Sequence, residues 1–123
     1  MARVYNDLYA LAMSDVAPSE VHSPVTAAAV LGWLESTAAA VRAGELDAST
    51  LVDLLGQLRQ ASAACADASD WILLAAREEG VSLRSLAPAF GKGYVRAPAA
   101  RLEKLHRQAL NADQWLEILR SRA

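Results

Sequence analysis

Residues 47–79 contain no proline and one interior glycine, Gly56, and this constrains the chain more than any other feature. Asp47, Ser49 and Thr50 offer side chains able to cap a helix start. A single mid-helix glycine costs about 1 kcal/mol and is tolerated. The stretch is therefore expected to form one helix of about thirty residues, around which the rest of the fold must arrange itself. Along it Leu51, Leu54, Leu58, Ala61, Cys65, Ala68, Ile72 and Ala75 recur with heptad spacing, the pattern of a helix seam. The middle of that seam is small, and small side chains let a second helix come close. Leu51, Leu54, Leu58, Ala61, Cys65 and Ala68 are accordingly the expected interface of a homodimer. The alternative at this stage is that helices from the same chain fill the face.

The remaining periodicity is also helical, so the expected fold is all-α: a helical bundle with one long central helix, forming a single domain over residues 1–123. Residues 2–13 place Val4, Leu8 and Leu11 on one stripe with Tyr5, Tyr9 and Ala12 beside it. A loop follows to Ser23. There Ser23-Pro24 reads as a cap and a first-turn proline, opening a helix over 24–43 with Ala27, Leu31, Leu34, Ala38 and Val41 facing inward and Trp33 covering an edge of the core. Gly44 stops it. Near the C-terminus Asn111-Ala112-Asp113-Gln114 has the form of a capping box opening a last helix through Trp115, Leu116 and Leu119. Trp71, Ile72, Leu73 and Leu74 are expected to supply the large side chains on which the C-terminal part docks.

Charge divides the chain in two. Residues 1–79 carry four Arg against eleven Asp and Glu, a balance of −7, whereas residues 80–123 carry eight Lys and Arg against three acids, a balance of +5. A basic face on an acidic protein is the electrostatic footprint of a phosphate binder; the alternative is an ordinary solvated helix face that pairs with the acidic half. The first part therefore reads as bundle and dimerisation region, the second as the basic functional unit. Hydrophobic content is 54%, but 27 residues are alanine and no apolar run reaches the 18 or so that a membrane span requires. With no secretory signal pattern at the N-terminus and Cys65 the single cysteine, a reducing cytoplasm is expected. Ten Arg against two Lys points to a high-GC coding sequence.

Within residues 79–107, Ser82 can cap a short helix whose face carries Leu83, Leu86, Ala87 and Phe90, and Gly91 can end it in a left-handed conformation. Leu86-Ala87 followed by Phe90-Gly91, within AAREEGVSLRSLAPAFGKGYVRAPAARLEKL, resembles the C-terminal helix-turn-helix of small Ala-rich DNA-binding regulators of high-GC bacteria. Those typically read A-A-R-x-x-G-x-S-W-x-x-L-A-P-A-L-G before a polar recognition helix. The resemblance covers a quarter of the chain and implies a bacterial transcriptional regulator that binds double-stranded DNA. The second helix departs from the pattern. Pro98 either starts it or kinks it, and the suitability of proline at a first helical position favours a start at Pro98. Lys92, Tyr94 and Arg96 would then sit in a loop over 91–97, and a helix over 98–110 would expose Arg101, Lys104 and Arg107. With Arg84 these form the expected DNA-contacting set.

Catalytic chemistry finds no support in the sequence. His22 and His106 have no ligand-spaced partner, Cys65 lies on an apolar seam as a packing residue, and Gly91-Lys92-Gly93 is too short for a phosphate-binding loop. Asp67, Asp70, Glu78 and Glu79 read as solvated carboxylates. No enzyme activity, metal or cofactor is expected. Two functions remain: a dimeric DNA-binding regulator, or a protein-interaction module that keeps the helix-turn-helix core without base readout, consistent with Pro98 and the lack of Gln, Asn or Ser at the start of the second helix.

Overall fold

A computed structural model describes residues 21–91 and 95–122. These residues are helical and contain no strand, as the periodicity requires. The helix expected over 2–13 lies outside them. The elements are α1 (Ala27–Arg42), α2 (Ala48–Glu78), α3 (Leu83–Leu86), a 3-10 turn η1 (Ala87–Phe90), α4 (Arg96–Leu105) and α5 (Ala112–Arg122). The chain divides into two compact units, Met1–Ala48 and Ser49–Ala123. Almost the whole of the long helix thus belongs with the C-terminal unit, although the charge reverses only at Gly80.

In the first unit, α1 begins three residues later than the Ser23-Pro24 pair implies. Thr26 is the cap, its Oγ1 accepting from the N–H of Ala29 at 3.1 Å. Ser23 instead closes a local turn with its hydroxyl on the backbone of Val25. A threonine two residues after a proline can take the extended backbone a cap requires, and here it does, at φ −119° and ψ 155°. No residue of α1 is buried, and Leu31, Leu34, Val41 and Trp33 are all exposed rather than facing a core.

The second unit has its core at the C-terminal end of α2. Leu73 and Leu74 of α2, Leu102 and Leu105 of α4, Ala109, and Ala112 and Trp115 of α5 form one buried cluster, with Trp71, Ala75, Leu83, Leu86, Ile118 and Leu119 packed around it. Each fully buried leucine contributes about 1.5–3 kcal/mol. Leu73 and Leu74 dock the basic segment as expected and Trp71 is half-buried, but Ile72 points outward, 60% exposed. At about 100° per residue, Ile72 cannot share a face with both leucines.

The way α2 ends sets the path of everything after it. Gly80 adopts φ 88°, and the Val81 and Gly80 N–H groups return to the carbonyls of Ala76 and Arg77, each at 3.0 Å. This double bond pattern, with a left-handed residue just past the helix, satisfies carbonyls the helix would leave free. Arg77 adds a bond from its guanidinium to the Val81 carbonyl at 2.6 Å. At the last residue of α2, the Glu78 carboxylate accepts from the Ala112 N–H at 2.6 Å, tying the end of α2 to the first turn of α5. A carboxylate is favourable there because the N–H groups of a first helical turn carry partial positive charge. Asn111 caps the same helix through Gln114 N–H at 2.9 Å, and the Gln114 side chain reciprocates on Leu110 N–H, one residue before the cap.

Candidate nucleic-acid interface

Ser82 opens α3 as expected, its Oγ accepting from the Ser85 N–H at 3.1 Å. Pro88 then tightens the helix into the 3-10 turn η1, and Gly91 ends it at φ 79°, a conformation that disfavours any side chain with a Cβ. Ala87 is fully buried and Leu83 and Leu86 half-buried, so the small residue at position 87 lets this short helix lie close against the rest of the unit. Phe90, expected on the same inward face, is instead exposed at its edge, 37% accessible.

The second helix begins at Arg96, two residues before Pro98, and ends at Leu105 rather than near 110. Pro98 neither opens nor kinks it. As the third residue it lies in the first turn, where no N–H has an intrahelical acceptor, and its ring is fully buried. Arg96 is therefore a first-turn residue and not a loop residue. Lys92 and Tyr94 lie outside the described residues.

Pro98, Leu102 and Leu105 mark the inner face of α4. Arg96, Ala100, Glu103 and Lys104 are exposed on the rest of the helix, and Arg107 in the turn that follows it. Arg84 is exposed on α3. Among the described residues none of Arg84, Arg96, Lys104 and Arg107 is in an ion pair. Four cations thus stand in solvent on and around the two short helices.

Arg101 is placed differently from the expectation. Its Nε donates to Asp70 Oδ1 at 2.8 Å and its Nη2 to Oδ2 at 2.5 Å, the two-point geometry in which a guanidinium fits a carboxylate best. Asp70 is buried at 5% exposure, so the sequence reading of it as a solvated carboxylate is corrected. It sits one turn before Leu73 and Leu74 on the face that meets α4, where a carboxylate must have a counter-charge. The hydrogen bond to Asp70 raises the Arg101 pKa above its ordinary value against a smaller lowering by burial, and the charges of Asp70 and Asp67 add to the rise. Asp67 is also engaged: its carbonyl accepts from Trp115 Nε1 at 3.0 Å, and its carboxylate lies 3.6 Å from the Arg122 guanidinium, which stacks over the Trp115 ring at 5.3 Å. Of the four carboxylates assigned to solvent, Glu79 is simply exposed.

Sequence reasoning missed Asp70 and Glu78 as groups that hold the unit together, and the bond from Trp115 to the Asp67 carbonyl. One signal was present: Asp70 lies three and four residues before the adjacent leucines, hence on their face of the helix. Its partner, 31 residues away, has no such signature.

The heptad stripe of α2 is open. Leu51, Leu58, Ala61, Cys65 and Ala68 are exposed and Leu54 is half-buried. Cys65, expected as a packing residue, is thus exposed within the chain. Ala61 lies roughly half a turn around α2 from Asp70, at about 100° per residue. Ala68, by contrast, lines a shallow hollow with Leu119 and Arg122 of α5, and Ala75 packs against the core, so the stripe is open over its N-terminal and middle part and meets the C-terminal unit at its end. His22 and His106 are exposed, and among the described residues no three His, Cys, Asp or Glu side chains gather in a way that could hold a metal ion. No helix of the described residues is long and apolar enough to cross a membrane. Comparison with known family models, curated proteins and solved structures returns no match.

Proposed function

We propose that this protein is a DNA-binding regulator, a non-enzyme of the bacterial cytoplasm, that grips duplex DNA through α3, η1 and α4 and acts as a homodimer. The observation that carries the reading is the set of solvent-facing cations, Arg84, Arg96 and Lys104 on two short helices joined through Gly91 and Arg107 in the turn after the second, that have no ion pair among the described residues. In a helix-turn-helix the first turns of the second helix meet base edges while its flanks meet phosphates. Arg96, in the first turn of α4, has the position of a groove residue; Lys104 and Arg107, near its end, have the position of phosphate contacts. The alternative, a protein-interaction module, is favoured by the first turn of α4, which offers Arg96 as its one base-reading side chain beside Ala97 and Pro98.

Fluorescence anisotropy of labelled duplexes at several salt concentrations tests the reading. Lys104→Ala should weaken binding to every sequence alike and lower the slope of log affinity against log salt by about one. Arg96→Ala should cost about 1–3 kcal/mol, most of it on the preferred site found by selection from random duplexes. A wild-type chain that ignores duplex DNA at low salt but forms a stable complex with a protein partner would give the function to the interaction module.

The dimer rests on the open stripe of α2, whose small residues at 61, 65 and 68 admit a second helix. Ala61→Glu would set a charge on that seam, and the mass from light scattering should fall from dimer to monomer. A wild-type chain that is already monomeric at tens of micromolar would refute the dimer and leave DNA binding to single units.

A further inference from the structure

Beside α4 lies an open groove of about 280 Å³ lined by Phe90, Ala97, Ala100, Arg101 and Lys104. Its walls are apolar: the ring at the end of η1 on one side, and the two alanines, one turn apart, on the other. Both charged side chains on it are cations. Lys104 carries no ion pair among the described residues. Arg101 has five N–H donors, of which Asp70 takes one on Nε and one on Nη2, leaving three. Its side chain remains 41% exposed while Asp70 is almost wholly buried beneath it. The carboxylate thus fixes the plane of the guanidinium from below and leaves its outer edge available. An apolar trough with cations and no acid among its lining residues complements a group that is apolar along its body and anionic at one end. A deoxyribose and its phosphate have that character.

We infer that this groove seats one sugar-phosphate of duplex DNA, with Lys104 and the free N–H groups of Arg101 as donors and Asp70 as the positioning residue that holds Arg101 to the task. The inference rests on the DNA-binding reading above and adds a place and two roles to it. Arg101 keeps a part in the interface, since a guanidinium already fixed by one carboxylate loses little freedom when it meets a second anion. Asp70 acquires a function in binding that its charge alone would oppose.

That opposition supplies the test. Anisotropy is measured on the full chain with a labelled duplex over a salt series, alongside a thermal melt of each variant. Ala100→Leu fills the trough without changing charge and with little change in helix propensity, and should weaken binding about tenfold and lower the salt slope by about one. Asp70→Asn removes a negative charge, so simple electrostatics would tighten binding; the positioning role requires weaker binding instead, measured at a temperature where the melt shows the variant folded. If Ala100→Leu binds as the wild type does, or if folded Asp70→Asn binds more tightly, the seat is refuted while DNA binding by the wild type stands. If the wild type binds no duplex, the underlying reading fails. If it then binds an oligoglutamate peptide that Ala100→Leu excludes, the groove belongs to an acidic peptide and the phosphate assignment is overturned.

Discussion

Replacing Trp115 by alanine will remove about 3–5 kcal/mol of stability from the C-terminal unit and lower its melting temperature by some 15–30 °C. The indole is 2% exposed, in one core cluster with Leu73, Leu74, Leu102 and Leu105, and Arg122 stacks over its ring. Loss of a ring that size leaves a cavity the surrounding helices cannot close, because three of them are fixed to one another by polar contacts. Glu78 holds the start of α5 to α2, Asp70 holds α4 to α2, and the Trp115 N–H itself reaches the Asp67 carbonyl. A domain of this size has a total stability of about 4–11 kcal/mol, so the variant should be close to unfolded at growth temperature. Trp115→Phe keeps most of the packing and gives up the bond to Asp67, at a cost of about 1 kcal/mol beyond the lost area. Thermal unfolding followed by far-UV circular dichroism measures both. A fall of only a few degrees for Trp115→Ala would mean that the indole is not central to the core.

The second large effect is expected at the Asp70–Arg101 pair, and it is asymmetric. Arg101→Met leaves a carboxylate buried without a counter-charge and should cost about 2–4 kcal/mol, somewhat below the loss for a fully buried pair because the arginine is partly solvated. Asp70→Leu leaves a guanidinium that can turn to water and should cost about 1 kcal/mol. Removing both charges at once deletes the problem and its solution together, so Asp70→Leu with Arg101→Met should lie within about 1 kcal/mol of the wild type. Urea unfolding of the four proteins gives the coupling directly. Costs that simply add would show that the two side chains do not depend on each other. The double variant also separates fold from function: it should stay folded yet bind duplex DNA more weakly than the wild type.

The same residues show how far the sequence could be read. The all-helical class, the length of α2, the caps at Ser82 and Asn111 and the stop at Gly91 were legible because each is decided within a few residues. Helical period needs only neighbours three and four apart, a cap only the next turn, and a left-handed stop only a glycine in the right place. Where two local signals competed, the choice was not legible. Ser23-Pro24 and Thr26 could both open α1, and Pro98 suits the third position of a helix as well as the first, since neither needs its missing N–H. Arg101 and Asp70 mark the limit. On their own helices each is an ordinary charged residue, and nothing within four positions of either names the other.

By itself, then, the sequence determined which of the described segments are helices, where most of them end and on which side of Gly80 the positive charge lies, since backbone geometry and charge are properties of short stretches. Only the tertiary structure decided which of those cations, among the described residues, are unpaired and which is tied to a buried carboxylate, and that most of the small-residue stripe of α2 is left exposed. Burial and pairing depend on which helix faces meet across more than thirty residues of chain, and no local period carries that information.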